Sequence, residues 1–169
     1  LDCFGYNKFV EIYGQGESPM TITSLSKAHH ADTGHPRFKQ RLASVGVAQS
    51  SVQIRIADEN DRPVPSGKLG EILVKGDVVM TGYWNNPEAT AATIKSGWVH
   101  TGDIGELDNE GYLKITDRKK DIIVNAGGDN ISPSRIEEKL NIEPAIAQSM
   151  IYGDYKNYLV AIIVPDNDF

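Results

Sequence analysis

Four short segments hold residue types that could carry chemistry: Tyr13-Gly14-Gln15-Gly16-Glu17, Thr101-Gly102-Asp103, the charge run Asp117-Arg118-Lys119-Lys120-Asp121, and Gly127-Gly128-Asp129-Asn130-Ile131-Ser132-Pro133. Carboxylates in such segments can ligate hard cations or accept hydrogen bonds. An arginine brings a permanent charge, and glycine turns can present backbone N–H groups to anions. Each segment alone is also ordinary structure. The first is a strand running into a glycine turn, and it lacks the third glycine of a dinucleotide fingerprint. The second is a turn, the third a solvated charge run, and the fourth a loop followed by a helix cap.

The elements around these segments follow from periodicity and punctuation. Residues 8–12 form an apolar-rich strand that ends in the turn residues Gly14, Gln15 and Gly16. The polar stretch 24–40, with Gly34 and Pro36, reads as an irregular crossing. Apolar and polar residues alternate over 52–56, a turn occupies 58–67, and a second strand covers 69–75. Asn86 caps and Pro87 opens a short helix at 87–95, which Gly97 stops. Residues 98–103 lead into a turn, after which 105–107 and 112–116 pair through Asp108 to Gly111. Beyond the charge run come a buried strand at 122–124, the Gly127-Gly128 loop, and a helix capped by Ser132 that carries Ile136 and Leu140 at i, i+4 spacing. Strands near 149–152 and 158–164 follow.

Composition limits the function classes. The 169 residues are 40% hydrophobic and 24% charged, as in an ordinary globular protein of one domain or pieces of two. With 17 basic and 23 acidic residues the net charge is −6, which argues against broad capture of nucleic acid. The longest apolar run, 159–164, falls far short of the roughly 18 residues of a spanning helix, so no integral membrane segment is expected. A single cysteine, Cys3, excludes an intrachain disulfide and makes the cytoplasm the expected compartment. It reads as a core or surface thiol. The adjacent His29 and His30 diverge on regular structure and lack the spacing of a metal site. Trp84 and Trp98 read as packing residues of the β-rich region.

In their order and spacing the four segments resemble the adenylate-forming superfamily, and in particular the acyl-CoA synthetases. The family's Tyr-Gly-x-Thr-Glu motif corresponds to Tyr13 to Glu17. Its next stretch appears as Gly70-Glu71-Ile72, Gly76, Met80, Gly82-Tyr83-Trp84, Pro87-Glu88 and Thr90. Gly97-Trp98, Thr101-Gly102-Asp103, Gly111-Tyr112, Ile115, Asp117-Arg118, Lys120-Asp121 and the Gly127 to Pro133 loop complete the series. Trp98, His100 and the Gly82-Tyr83-Trp84 region are most similar to fatty acyl-CoA synthetases.

The resemblance implies a mixed α/β (α+β) fold: residues 1–117 as the β-rich end of a large N-terminal domain, and 118–169 as the start of a small, mobile C-terminal α/β domain. It implies an enzyme that activates a small-molecule carboxylic acid, fatty or related, with ATP and Mg²⁺, releases pyrophosphate, and passes the acyl group to coenzyme A. An aryl acid, a carrier-protein acceptor, or a truncated non-catalytic module are the alternatives, and the oligomeric state is open. By resemblance, Glu17 holds Mg²⁺, Tyr13 stacks on adenine, and Gly14 lets the backbone approach the nucleotide. Asp103 accepts the ribose hydroxyls and Arg118, fifteen residues later, donates to the ribose oxygens. Lys120 is the hinge of the small domain, and Gly127 and Gly128 border the coenzyme A channel.

One position departs from the pattern. Gly16 stands where the family has a hydroxyl residue that contacts the α-phosphate, so the Gly16 N–H or the Ser18 hydroxyl is expected to replace it. The family's Ser/Thr/Gly-rich phosphate loop and its C-terminal catalytic lysine are not among these residues. The segment by itself is therefore expected to be inactive or nearly so.

Overall fold

The computed structural model describes Gly5 and residues 8–166, without the side chain of Asn130. Cys3 lies outside the described residues. The chain divides into two compact units between Ile115 and Thr116.

The first unit contains two antiparallel sheets. Strands β1 (Glu11–Gln15) and β2 (Ser18–Leu25) form a hairpin through the two-residue turn Gly16-Glu17, and β3 (Val47–Ala48) pairs with the far side of β2. The strand expected at 8–12 thus lies at 11–15, and Gly14 and Gln15 are strand residues rather than turn residues. The cause is pairing with β2, a partner that the local sequence of β1 does not reveal. Tyr13 faces Thr23 whereas Gln15 faces Ser18, so extra residues of β2 bulge out between them, with Met20 at φ 52°. Gly14 lies against that bulge. A Cβ there would collide with the backbone of Ser18 and Met20, which is a packing reason for glycine.

The polar stretch expected to be irregular holds the end of β2 and the short helices α1 (Lys27–Ala31) and α2 (Phe38–Leu42). Ser26 caps α1. Its hydroxyl accepts from the His29 N–H at 3.3 Å, and the His29 ring accepts from the Ser26 N–H at 3.3 Å. His30 turns inward, with Nδ1 3.0 Å from the Ser26 carbonyl.

In the second sheet β4 (Val52–Ala57) and β5 (Gly70–Gly76) occupy the expected places. Helix α3 (Pro87–Thr93) begins where Asn86 accepts from the Ala89 N–H at 3.0 Å. The strand order is β4-β5-β7-β6, with β6 (Ile94–Lys95) and β7 (Trp98–Leu107), and β8 (Leu113–Arg118) pairs with β7. Residues 98–103 do not lead into a turn. They are the first part of the ten-residue β7, in which Gly102 adopts φ 70° and the pairing with β5 shifts register between Glu71 and Leu73. Only this local irregularity resembles the turn that the Thr-Gly-Asp sequence suggests.

The core of the unit gathers Tyr13, Ile22, Val52, Ile56, Ile72, Val74 and Leu113. Alternation sends these aliphatic residues of β4 and β5 to one face, and each buried Val, Ile or Leu contributes about 1.5–3 kcal/mol. Trp98 packs under Arg55, whose guanidinium carbon lies 4.4 Å from the ring centroid. Trp84 does not pack. It is 92% exposed, on an irregular segment where Asn85 has φ 51°.

In the second unit a 3₁₀ turn, Lys119–Asp121, precedes β9 (Ile123–Val124), which pairs with β10 (Asn130–Ile131). Helix α4 (Pro133–Leu140) follows, and β11 (Ile146–Tyr152) pairs with β12 (Val160–Pro165). Ser132 caps α4 as expected, its hydroxyl accepting from the Arg135 N–H at 3.3 Å. Glu137 on α4 accepts from the Ile151 N–H of β11 at 2.8 Å. Asp117 does not behave as part of a solvated run. It is buried and accepts from the hydroxyls of Ser132 and, at 2.7 Å, Ser134. No helix among the described residues is long and apolar enough to cross a membrane.

Candidate functional site

The hairpin β1–β2 and strand β7 bring the first two segments together. Tyr13 and Gln15 extend from one face of β1. The Tyr13 hydroxyl donates to Asp103 Oδ2 at 2.6 Å, and Gln15 Nε2 donates to the same oxygen at 2.6 Å and to the Thr101 carbonyl at 3.0 Å. Thr101 completes the frame from within β7. Its hydroxyl donates to the Ile72 carbonyl at 2.8 Å and accepts from the Asp103 N–H at 3.1 Å. Asp103 is only 3% exposed, and a buried carboxylate is retained when donors converge on it in this way. The Tyr13 ring packs in the hydrophobic core and the residue is 9% exposed.

Glu17 sits in the turn of the same hairpin. The Met80 N–H donates to its carbonyl at 2.8 Å, and the Tyr83 hydroxyl donates to its carboxylate. That hydrogen bond to an anion holds the Tyr83 phenol above its usual pKa. Gly16 is exposed, and a Cβ at that position would meet nothing within 4 Å. Ser18, the other residue expected to replace the missing hydroxyl, is 1% exposed and shares a 2.8 Å hydrogen bond with Thr21. Its hydroxyl is already used inside the hairpin.

The remaining expected residues belong to the second unit. Arg118 and Lys120 are exposed, at the start of and within the 3₁₀ turn. Gly127 and Gly128 lie in an exposed loop organised by Asn125, whose side-chain oxygen accepts from the N–H groups of Gly127 and Asp129, both at 2.9 Å. Sequence reasoning passed over Gln15 and Tyr83. Gln15 occupies the variable position of its motif, and only the i, i+2 relation to Tyr13 on a strand placed at 11–15 could have singled it out.

No group of three or more His, Cys, Asp or Glu side chains among the described residues could hold a metal ion. Mg²⁺ commonly takes only one or two carboxylates where phosphates and water complete its shell. Glu17 is a donor of the fitting kind.

Residues 1–84 match the AMP-binding enzyme family. The chain belongs to this family. It is 41% identical over 145 residues to the medium/long-chain-fatty-acid–CoA ligase FadD8 of Mycobacterium tuberculosis, an alignment covering 86% of the chain and 24% of that protein. Among solved structures it is similar to a mutant of the amide bond synthetase McbA from Marinactinospora thermotolerans. There the TM-score is 0.79 at 29% identity, covering 98% of this chain and 33% of that one. It is also similar to the O-succinylbenzoate coenzyme A synthetase MenE from Bacillus subtilis, in complex with ATP and magnesium ion, with a TM-score of 0.72 at 34% identity over 92% of this chain and 31% of that one. The chain therefore spans about a fifth to a third of the length of the relatives it matches, and the strand-rich mixed α/β fold is that of this family.

Proposed function

We propose that this AMP-binding family chain serves an ATP-dependent ligase that joins a carboxylic acid, fatty or related, to coenzyme A through an acyl-adenylate. In this reading residues 1–117 close a large nucleotide-binding domain and 118–169 begin a small mobile one. The observation that carries the reading is the carboxylate of Asp103 held by Tyr13 and Gln15. A ribose diol offers two hydroxyl donors to one carboxylate, and a carboxylate already oriented by its neighbours loses little freedom on binding. An adenine laid against Tyr13 meets only the small exposed fraction of that residue, so its hydroxyl is the larger part of its role. Arg118 supplies a permanent cation for the ribose oxygens, and Gly127 and Gly128 leave room for the pantetheine chain of coenzyme A.

In the first half-reaction an oxygen of the acid carboxylate bonds to the α-phosphorus of ATP and the bond to pyrophosphate breaks. In the second, the coenzyme A thiol gives up its proton, its sulfur bonds to the acyl carbon, and AMP leaves. Both reactants of the first step are anions, so charge must be offset where they meet. Glu17 would hold Mg²⁺, whose charge offsets that of the phosphates. The Gly16 N–H stands in for the absent hydroxyl, since Ser18 is engaged with Thr21.

The test is ATP–pyrophosphate exchange by the full-length protein across a panel of fatty and aryl acids, followed by coenzyme A consumption. Exchange with at least one acid and thioester formation are expected. No exchange with any acid overturns the reading. The likeness to the amide bond synthetase McbA favours a second reading with another acceptor, for which exchange without coenzyme A consumption is the signature.

A further inference from the structure

Glu71 on β5 is a buried carboxylate, 7% exposed, at a strand position where an apolar side chain would serve packing alone. Burying it is unfavourable unless donors compensate. Its Oε1 accepts from the Gly102 N–H at 3.2 Å, and Oε2 lies 3.2 Å from His100 Nδ1. The other nitrogen of that ring, Nε2, is 3.7 Å from Asp61 Oδ1. These bonds act on the irregular part of β7. Gly102 takes φ 70°, a conformation that glycine adopts without a Cβ penalty, and the β5–β7 register shifts beside Glu71. Asp103, the next residue, owes its direction to that irregularity.

Resting on the nucleotide-site reading above, we infer that Glu71 is a positioning residue for the nucleotide contact at Asp103: it fixes the Gly102 peptide and so holds the Asp103 carboxylate in line with Tyr13 and Gln15. Thr101 secures the same segment from the other side, through the Ile72 carbonyl and the Asp103 N–H. Without Glu71 the Gly102 N–H loses this acceptor inside the sheet, the Thr101–Gly102 peptide is released, and the Thr101 bonds alone are left to hold the approach to Asp103.

The test is made in the full-length protein. Glu71→Ala is expected to weaken AMP binding and raise the KM for ATP on the order of tenfold, while the KM values for the carboxylic acid and coenzyme A stay unchanged. Glu71→Gln keeps an oxygen for the Gly102 N–H and a polar group of the same size beside the His100 ring, so it should restore nucleotide affinity. A merely structural role would move all three KM values together and would not be rescued selectively. If Glu71→Ala does not fold, Glu71→Asp, one methylene shorter, is expected to raise the ATP KM in the same selective way. Unchanged AMP affinity in Glu71→Ala or Glu71→Asp, or a parallel rise for all substrates, overturns the inference. Asp103→Asn separates the two levels: if it leaves AMP affinity unchanged, the nucleotide-site reading fails, and if it alone weakens binding, only the role of Glu71 fails.

Discussion

Tyr13 and Asp103 stand 90 positions apart in the chain and share a 2.6 Å hydrogen bond inside the first unit. The bond joins a hairpin strand to the bulged part of β7, and Gln15 adds a second donor on the same oxygen. A carboxylate that accepts two donors from one strand is oriented by that strand. The direction of Asp103 is thereby tied to the packing of Tyr13 in the core.

Tyr13→Phe keeps the ring and removes only the hydroxyl. Gln15 still donates to Asp103, so the loss is one hydrogen bond to a charged group, about 1.5–3 kcal/mol. We expect a lower denaturation midpoint with an unchanged denaturant slope, together with weaker AMP binding in the full-length protein. A variant as stable as the parent would show that the Tyr13 hydroxyl contributes nothing net.

Local signals were legible where they are self-contained. Asn86-Pro87 and Ser132-Pro133 start helices with their own side chains, and alternation in β4 and β5 needs no knowledge of partners. What escaped depends on distant residues. Strand β2 carries Ser and Thr at positions that read as polar, yet Thr23 is fully buried because its hydroxyl donates to the Val45 carbonyl at 2.6 Å. Thr101-Gly102-Asp103 reads as a turn because it carries turn residues, but it is a bulged part of β7 paired with β5, where the Gly102 N–H donates to Glu71. Asp117 reads as solvated because four charges follow it, and only Ser132 and Ser134 reveal why it is buried. The motif residues of the candidate site were legible. Gln15, Thr101 and Tyr83 stood in the same motifs, but their orienting roles were not legible, because orientation is a long-range property.

A charge network between α2 and the β7–β8 turn predicts acid sensitivity. Arg37 contacts Asp108 and lies 2.9 Å from Glu110, which Arg41 approaches at 3.1 Å. Burial pushes the Asp108 carboxyl up, but the Tyr112 N–H, Arg37 and the Glu110 N–H together bring it below its usual value. Arg41 and then Arg37 hold Glu110 below its own. Carboxyls with depressed folded pKa values stabilise the fold above their unfolded values of about 4 and lose that contribution as pH falls through the folded ones. Urea denaturation should therefore give a lower midpoint at pH 3 than at pH 7, and Arg37→Leu should shrink this difference. An equal pH dependence in the variant would remove the network from the account. Because these groups are partly exposed, added salt should also flatten it.

Asp117 and Ser132 lie on opposite sides of Lys120 in the chain, and we propose that Lys120, the hinge implied by the family resemblance, lets the small domain take one orientation for adenylation and another for thioester formation. With Lys120 as the pivot we propose, rotation there would separate Ser132 and Ser134 from Asp117, whose hydrogen bonds with both lie within the second unit in this structure. Lys120→Pro locks φ near −65° at the pivot and is expected to leave ATP–pyrophosphate exchange within about twofold while slowing thioester formation about tenfold or more. Asp117→Ala removes the bonds without restricting the backbone, and should change the ratio of the two half-reaction rates. Both rates are measured in single-turnover experiments on the full-length protein with an active acid. If Lys120→Pro slows both half-reactions equally, Lys120 is not the pivot. If Asp117→Ala leaves their ratio unaltered, the Asp117–Ser132 contact does not distinguish the two orientations.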